Sequence, residues 1–195
     1  DLREQLSPYM SPNELGALIF ALMQDGTDIG LETALKELGN DSSLIDFKLY
    51  DKKVTDFLNG YVFKASKITM DRLIGDVIYQ IKMGQELGES IPQIQTRLDT
   101  VFVNMRDFET ERIARTEVNK SSNWARLQSF IDAGKEWKQW KSNIDGRTRD
   151  SHRSINGQIK KITEQFSNGL QYPGDPAGSA REVVNCRCTI VFVNK

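Results

Sequence analysis

The residues of this sequence that are best suited to chemistry lie near its C-terminal end. His152 is the only histidine of the chain, and Cys186 and Cys188 are its only two cysteines. On an extended strand, two residues separated by one position point to the same face, and thiolates with an imidazole are ligands that zinc prefers. With the carboxylate of Asp145 as a fourth donor, these three side chains would complete a tetrahedral zinc site.

A simpler interpretation of the same residues requires no metal. A hydrogen-bonded histidine beside two small buried thiols is a common arrangement in a protein core. We favour this interpretation, so that no cofactor is expected and a structural zinc is the alternative. A disulfide between two cysteines with one residue between them would be strained, which excludes a secreted disulfide scaffold and favours synthesis in a reducing cytoplasm.

A second group of residues combines opposite charges with small polar side chains. Arg115 and Glu117 lie in a predicted helix, and Asp145 and Arg147 lie in a loop that follows it. Ion pairs between the helix and the loop would form a buried or half-buried network that holds the two together. The predicted members of this polar network are Arg115, Thr116, Glu117, Asp145, Arg147, Thr148, His152, Asp175, Asn185 and Arg187.

The same charges also allow an enzymatic interpretation. A hydrolase or nuclease would use Asp145 with His152, and an ADP-ribosyl transferase would use Arg115 with Glu117. Such enzymes hold a nucleophile and a base in a defined geometry. This sequence offers one histidine, no glycine-rich phosphate loop and no repeated carboxylate motif. We therefore predict that the chain has no catalytic residues and is not an enzyme.

The distribution of charge gives a further alternative. The net charge of −1 provides no general attraction to nucleic acid, but residues 135–161 hold eight Lys or Arg against three Asp or Glu. Interleaved lysine and tryptophan can bind single-stranded DNA by phosphate contacts and stacking, although such tryptophans are more often core or interface anchors. The candidate DNA contacts are Lys135, Trp137, Lys138, Trp140 and Lys141.

The elements that must position these residues are predicted from the spacing of apolar side chains. Residues 1–105 show helical periodicity, with Gly26 as an interruption and Thr69 and Ser90 as N-terminal caps. A long sixth helix follows this region and ends at Gly134. The predicted helices cover about residues 12–23, 29–38, 52–66, 69–84, 91–102 and 107–133.

The residues after Gly134 favour strands and loops. Aromatic and β-branched residues predict strands at about 136–142, 158–163 and 189–193, and three Gly with two Pro predict an irregular loop over 168–179. The predicted fold class is α+β, with a mainly α-helical N-terminal part followed by a small C-terminal α+β unit that contains a short antiparallel sheet. We place the helical region at 1–105 and the C-terminal domain at 106–195.

Neither a membrane span nor a signal peptide is predicted. No apolar run approaches the roughly 20 residues that cross a bilayer, and no charged segment precedes a short apolar one. The chain begins at Asp1 rather than at a methionine. We therefore expect it to be a fragment or a processed product of a longer protein.

Four short motifs carry a resemblance to a known family. In chain order they are IARTEVN from Ile113, DGRTRDSHRSINGQ from Asp145, YPGDP from Tyr172 and NCRCTI from Asn185. Together they resemble the Mu F-like phage head morphogenesis family, and the helical stretch MGQELGESIPQIQTRL from Met83 is similar to the region that precedes them. Each motif alone is a weak signal, but four of them in the same order form a strong one.

The resemblance implies a structural minor capsid or head morphogenesis protein of a tailed phage or prophage. Members of the family are sometimes fused to a portal protein, so the implied partners are the portal and capsid or scaffolding proteins, in an oligomer and without a membrane. The implied location is the virion, after synthesis in the host bacterial cytoplasm. A DNA-binding virion module that is ejected with the genome is the alternative function.

The resemblance also bears on the zinc interpretation. Some members of the family resemble zinc proteins, with a cysteine pair near positions 149 and 152 and a histidine shortly before the Asn-Cys-Arg-Cys motif. This sequence has Arg149 and Val183 at two of those positions. Two of the implied ligands are therefore missing here.

Overall fold

The computed structural model describes residues 12–104 and 110–194. These residues belong to two compact units, one built from residues up to Phe20 and from Asn59–Arg112, the other from Ala21–Leu58 and from Ile113 onward. The second unit therefore combines a part of the helical half with the C-terminal half. The division at residues 105 and 106 stays a sequence-based prediction.

The first two helices of the described residues are longer than the sequence predicts, because each joins two predicted helices. Helix α1 covers Pro12–Leu38 and is followed by a 3-10 helix, Gly39–Leu44; helix α2 covers Phe47–Glu86, α3 Ile91–Asn104 and α4 Thr110–Asp132. No helix in the described part of the chain is long and apolar enough to cross a membrane.

Two predicted helix boundaries are wrong. Helix α1 continues through Gly26, and α2 joins the two helices that were predicted on either side of Thr69. Glycine inside a helix costs only about 1 kcal/mol relative to alanine, which packing can offset. The Thr69 hydroxyl donates to the Ala65 carbonyl instead of capping a new helix. Helix α3 begins after Ser90 as predicted, and the Gln93 side chain accepts hydrogen bonds from the Ser90 backbone N–H and hydroxyl, which is the glutamine half of a capping box.

The C-terminal half contains the short antiparallel sheet that the sequence predicts. Strands β1 (Trp137–Lys141), β2 (Ile159–Lys161) and β3 (Thr189–Val193) are arranged in the order β2-β1-β3, and both pairings are antiparallel. Two short helices, α5 (Asp150–Arg153) and α6 (Ala180–Val183), interrupt the connections. The α+β class is therefore confirmed.

The core of the second unit is built on the inner face of the sheet. Trp140 of β1 is fully buried, with its ring edge-to-face against Phe166 at a centroid distance of 5.1 Å. Phe130 of α4 and Ile190 of β3 are also fully buried. Aromatic pairs of this geometry stabilise a core by about 0.5–1.5 kcal/mol beyond the area they bury.

Helices α1 and α4 approach each other closely at two glycines of α1. A Cβ atom added at Gly26 would lie 2.0 Å from Ser121 Oγ, and one added at Gly30 would lie 2.3 Å from the carbonyl oxygen of Ser122. Both separations are far below a normal van der Waals contact. The glycine that the sequence marks as a break is thus required for helix packing.

Helix α4 also contacts strand β3 and the residue before it, through buried polar side chains. The Asn123 side chain accepts a hydrogen bond from the Ile190 N–H at 3.1 Å and donates one to the Cys188 carbonyl at 3.1 Å. The Arg126 guanidinium donates to the Ile190 carbonyl at 3.0 and 2.8 Å. All of these polar groups are buried, so each hydrogen bond avoids the cost of an unpaired group.

We predict that Gly30→Ala lowers the free energy of unfolding by about 1–3 kcal/mol, because the new methyl group must displace the α4 backbone. Gly60→Ala in α2 is the matched control, since nothing lies within 4 Å of its added Cβ atom. Greater helix propensity should make that variant more stable by about 0.5–1 kcal/mol. Chemical unfolding followed by circular dichroism measures both changes, and an equal response of the two variants would contradict the close packing.

Candidate functional site

His152 is held in a fixed orientation inside the C-terminal half. It lies in α5, is buried, and its ring packs edge-to-face against Trp140 at a centroid distance of 5.1 Å. The Trp140 indole N–H donates to Ser142 Oγ at 3.0 Å, and this hydroxyl donates to the His152 carbonyl at 2.6 Å. A buried aromatic core residue therefore positions the histidine.

The two cysteines lie between α6 and β3, ahead of the strand on which the sequence places them. Asn185 has a backbone φ of 59°, which lies in the left-handed region that asparagine tolerates better than most residues. Its N–H donates to Thr116 Oγ1 at 2.9 Å, and its side-chain oxygen accepts from Arg115 at 2.8 Å. The turn at Asn185 then directs both cysteines inward, where they are buried.

These side chains converge on a single nitrogen of the histidine. His152 Nδ1 lies 3.6 Å from Cys186 Sγ and 3.4 Å from Cys188 Sγ. The other ring nitrogen, Nε2, lies 3.0 Å from a carboxylate oxygen of Glu182 in α6. Glu182 also accepts a hydrogen bond from the Ser151 hydroxyl at 3.0 Å. The arrangement is a carboxylate, an imidazole and two sulfurs in contact.

The two thiols differ in their acidity. Hydrogen bonding from Cys186, and then from His152, holds the pKa of the Cys188 thiol well below its ordinary value. The hydrogen bond with Cys188, and then burial, raises the pKa of Cys186. Of the two, Cys188 is therefore the one that forms a thiolate first.

A small polar pocket adjoins the cluster. Its volume is about 10 Å³, which is room for about one water molecule. Apart from the histidine and the cysteines, its walls are formed by Asn143, Arg147, Thr148, Arg149, Asn185 and Arg187. The enclosed part of this pocket has the size of a water molecule and not that of an organic substrate.

Asp145 is bound by its neighbours and lies apart from the sulfurs. Both of its carboxylate oxygens accept hydrogen bonds from Arg187, one of them at 2.7 Å, and the Arg147 N–H donates to it at 2.8 Å. These contacts, first that of Arg187, hold the pKa of the Asp145 carboxyl well below its usual range. Its N–H in turn donates to Thr148 Oγ1 at 2.9 Å. The donor atoms that converge are those of His152 and the two cysteines.

Two other carboxylates of the predicted polar network have different partners. Glu117 is buried with Lys120, whose ammonium donates to both of its oxygens at 3.0 and 2.9 Å. Asp175 accepts hydrogen bonds from the N–H groups of Gln171 and Ala177, at 2.8 and 2.9 Å. The Asp175 carboxylate therefore stabilises the loop in which it lies, residues 171–177.

The basic segment contributes to the core as well as to the surface. Lys138 and Trp140 are fully buried, which removes them from any contact with DNA in the folded state. The Lys138 ammonium donates to the carbonyl and side-chain oxygens of Gln171 at 2.8 and 2.6 Å, and burial lowers its pKa to about 8. Lys135 pairs with Asp41 at 2.5 Å. Trp137 is half-buried and Lys141 is exposed.

Sequence reasoning missed three residues that organise the site. They are Asn123, Arg126 and Glu182, and all three are polar residues in helices whose role depends on a distant partner. Glu182 is separated from His152 by 30 positions, and Asn123 from Ile190 by 67. No local pattern indicates pairings of this range.

Comparison with known proteins gives consistent matches. The family model described as Phage Mu protein F like protein matches residues 74–191. The minor head protein GP7 of Bacillus phage SPP1 is 28% identical over 127 residues, which cover 62% of this chain and 41% of that protein. Protein YqbB of Bacillus subtilis strain 168 is 26% identical over 160 residues, 75% of this chain and 50% of that protein.

A third relative is named as an enzyme. The NAD(+)–arginine ADP-ribosyltransferase EFV of Enterococcus faecalis strain ATCC 700802 / V583 is 35% identical over 89 residues, 42% of this chain and 18% of that protein. The chain thus spans half or less of the length of these curated relatives. No solved structure matches it significantly.

The contacts of Asp145 predict a stability that depends on pH. A carboxyl whose pKa is lowered by folding stabilises the folded state above its unfolded pKa of about 3.9, and this contribution is lost as the pH falls toward the folded pKa. We expect Asp145→Asn to lower the melting temperature at neutral pH, and the difference from the wild type to shrink below about pH 4. Thermal unfolding over a series of pH values measures this.

Glu32→Gln is the matched control for Asp145→Asn. Glu32 pairs with Lys36 on the exposed surface of α1, where solvent screens the interaction, so its loss should change the melting temperature little. A deficit of Asp145→Asn that stays constant down to strongly acidic pH would show that the carboxylate charge is not what stabilises the loop.

Proposed function

Because this chain belongs to the family of Phage Mu protein F-like proteins, we propose that it is a structural minor head protein of a tailed phage or prophage. The observation that carries the proposal is the family match over residues 74–191, to which the similarity to the SPP1 minor head protein adds support. In this proposal the protein is made in the host bacterial cytoplasm and becomes part of the virion. Its partners there are the portal and the capsid or scaffolding proteins.

The contacts of the second unit support a structural rather than a catalytic role. The carboxylates that an enzyme would use are engaged, Asp145 with Arg187 and Glu117 with Lys120. The pocket beside His152 has room for about one water molecule. A buried polar arrangement of this kind fixes the shape of a surface, which is what an assembly component requires.

An ADP-ribosyl transferase is the second candidate, and the similarity to EFV is the observation that favours it. The shared segment covers only 18% of that protein, so it need not include the part that carries the named activity. In this chain Glu117 is buried beside Lys120, and Arg115 donates to Asn185. Neither residue lines the small pocket beside His152 that the described residues form.

The proposal is tested in the phage or prophage that encodes the chain. We expect mass spectrometry of purified heads to find the protein in particles, and loss of the protein to reduce the yield of complete heads. Chemical cross-linking of those heads is expected to join it to the portal or to the inner capsid. Heads that lack the protein and assemble normally would contradict the structural role. Cross-links to other head proteins alone would contradict the portal association.

A separate assay distinguishes the enzymatic candidate. We expect the purified chain to transfer no label from NAD to arginine-containing proteins, and Glu117→Gln to behave in the same way. Transfer by the wild type that disappears in Glu117→Gln, with the variant still folded by circular dichroism, would replace the structural proposal with the enzymatic one.

A further inference from the structure

We infer that His152, Cys186 and Cys188 bind one zinc-class divalent metal ion, with a water molecule from the adjoining pocket as the fourth ligand. Zinc sites in proteins use thiolate and imidazole ligands in a tetrahedral arrangement. The site differs from the four-ligand set that includes Asp145. It is independent of the proposed role in the phage head, because it depends only on donor atoms within the second unit.

The distances within the cluster fit a tetrahedral ion. Zinc binds sulfur at about 2.3 Å and imidazole nitrogen at about 2.0–2.1 Å, so that tetrahedral angles place nitrogen and sulfur about 3.5–3.6 Å apart. The observed separations from His152 Nδ1 are 3.6 Å to Cys186 Sγ and 3.4 Å to Cys188 Sγ. All three donor atoms lie within 4.8 Å of one another.

Hydrogen bonding alone explains this convergence less well. A ring nitrogen of neutral histidine has either one hydrogen to donate or one lone pair to accept. Here two sulfurs lie at similar distances from the same nitrogen, so a hydrogen bond of that nitrogen engages one sulfur, and the other pairs with the neighbouring cysteine. A metal ion between the three atoms would contact all of them at once.

Glu182 provides the support that a metal-binding histidine usually has. Its carboxylate lies 3.0 Å from Nε2 of His152, where it is placed to accept a ring N–H. In the metal-bound form the lone pair would then be on Nδ1, the nitrogen that faces the sulfurs. Carboxylate–histidine–metal arrangements of this kind fix the tautomer and the orientation of the ring. Glu182 is therefore a positioning residue for the metal and does not touch it.

The fourth ligand is assigned to a water molecule because the nearby protein side chains have other partners. Asp145 is held by Arg187, and Arg149 donates to the Val184 carbonyl. The pocket that opens beside the sulfurs has a volume of about 10 Å³, enough for about one water molecule. Its arginine walls disfavour a second cation and would tolerate a small anion in place of the water.

Bound in this way, the ion would connect two separate pieces of the chain directly and a third through the hydrogen bond between Glu182 and His152. His152 belongs to α5, while Cys186 and Cys188 precede β3, and Glu182 belongs to α6. Two thiolates and a divalent cation also leave no net charge in the buried site. The metal would therefore stabilise the C-terminal half, since binding to the folded state alone adds to its stability.

The test is a cobalt titration of the complete chain, reduced, metal-free and without a histidine tag. We expect one Co²⁺ per chain, with the visible bands of a tetrahedral ion and a sulfur-to-cobalt charge-transfer band, both lost when Zn²⁺ is added. Cys186→Ser and Cys188→Ser should each abolish stoichiometric uptake. Failure of the wild type to bind, or uptake unchanged in both cysteine variants, would overturn the site.

Further variants separate the roles of the neighbouring carboxylates. Glu182→Gln should weaken Co²⁺ binding by about 10–100-fold while the bands persist, whereas the matched control Glu32→Gln on the surface of α1 should bind normally. Asp145→Asn should still bind one Co²⁺ with the same bands. Loss of binding in Asp145→Asn, with the variant folded, would make Asp145 the fourth ligand and contradict the assignment to water.

Two measurements on the wild type keep the test independent of variants that fail to fold. Addition of Zn²⁺ is expected to raise the melting temperature of the metal-free chain, and an unchanged melting temperature would contradict a buried site. Addition of azide to the cobalt-loaded chain is expected to shift the visible bands as it replaces the water. Bands that do not respond would contradict an exchangeable fourth position.

Discussion

The C-terminal half of this protein depends on the way helix α4 completes the edge of a three-stranded sheet. Among residues 12–104 and 110–194, strand β3 pairs with β1 on one side and with no strand on the other. Trp140 of β1 lies opposite Ile190, but its N–H and C=O form hydrogen bonds with Gln158 and Gly157 on the other side of β1. Trp140 and Ile190 are therefore a pair without hydrogen bonds between them, and the N–H and C=O of Ile190 point away from the sheet. Asn123 and Arg126 of α4 bind them. An exposed edge strand is a template for unwanted pairing, and here two helical side chains take the place of a further strand.

The same face of α4 extends this contact to the candidate metal site. Thr116 binds the N–H of Asn185, and Asn123 binds the carbonyl of Cys188. Thr116, Asn123 and Arg126 of α4 thus bind Asn185, Cys188 and Ile190 in the same order along both segments. Helix α4 therefore holds residues 185–190 in place, and the sulfurs of Cys186 and Cys188 lie beside His152. Helix α4 also packs closely against Gly26 and Gly30 of α1. This contact fixes the position of α4, and with it the residues of α4 that bind β3.

Much of the fold follows from local patterns in the sequence, while the contacts of the site do not. The β-branched run at 189–193 and the aromatic segment at 136–142 predict strands that are present, and the family resemblance is confirmed. Gly26 predicts a helix break because glycine is locally unfavourable in a helix, but its lack of a side chain is what the close approach of α4 requires. Lys138 looks like a surface residue, yet Gln171 satisfies its ammonium inside the core. The only histidine and the only cysteines were visible as candidate ligands, whereas their convergence depends on the turn at Asn185 and on Glu182, for which no sequence pattern exists.

The most direct test of the contact between α4 and β3 is hydrogen exchange at the Ile190 amide, measured by NMR in the wild type and in Asn123→Ala. In the wild type this amide should exchange slowly, although no strand of the described part of the chain lies on that side of it. Loss of a buried hydrogen bond of about 1–1.5 kcal/mol should accelerate its exchange roughly tenfold in the variant. The amide of Val191, which lies opposite Gln139 of β1, should remain protected. Rapid exchange at Ile190 in the wild type, or equal acceleration at both amides, would show that α4 does not complete the sheet.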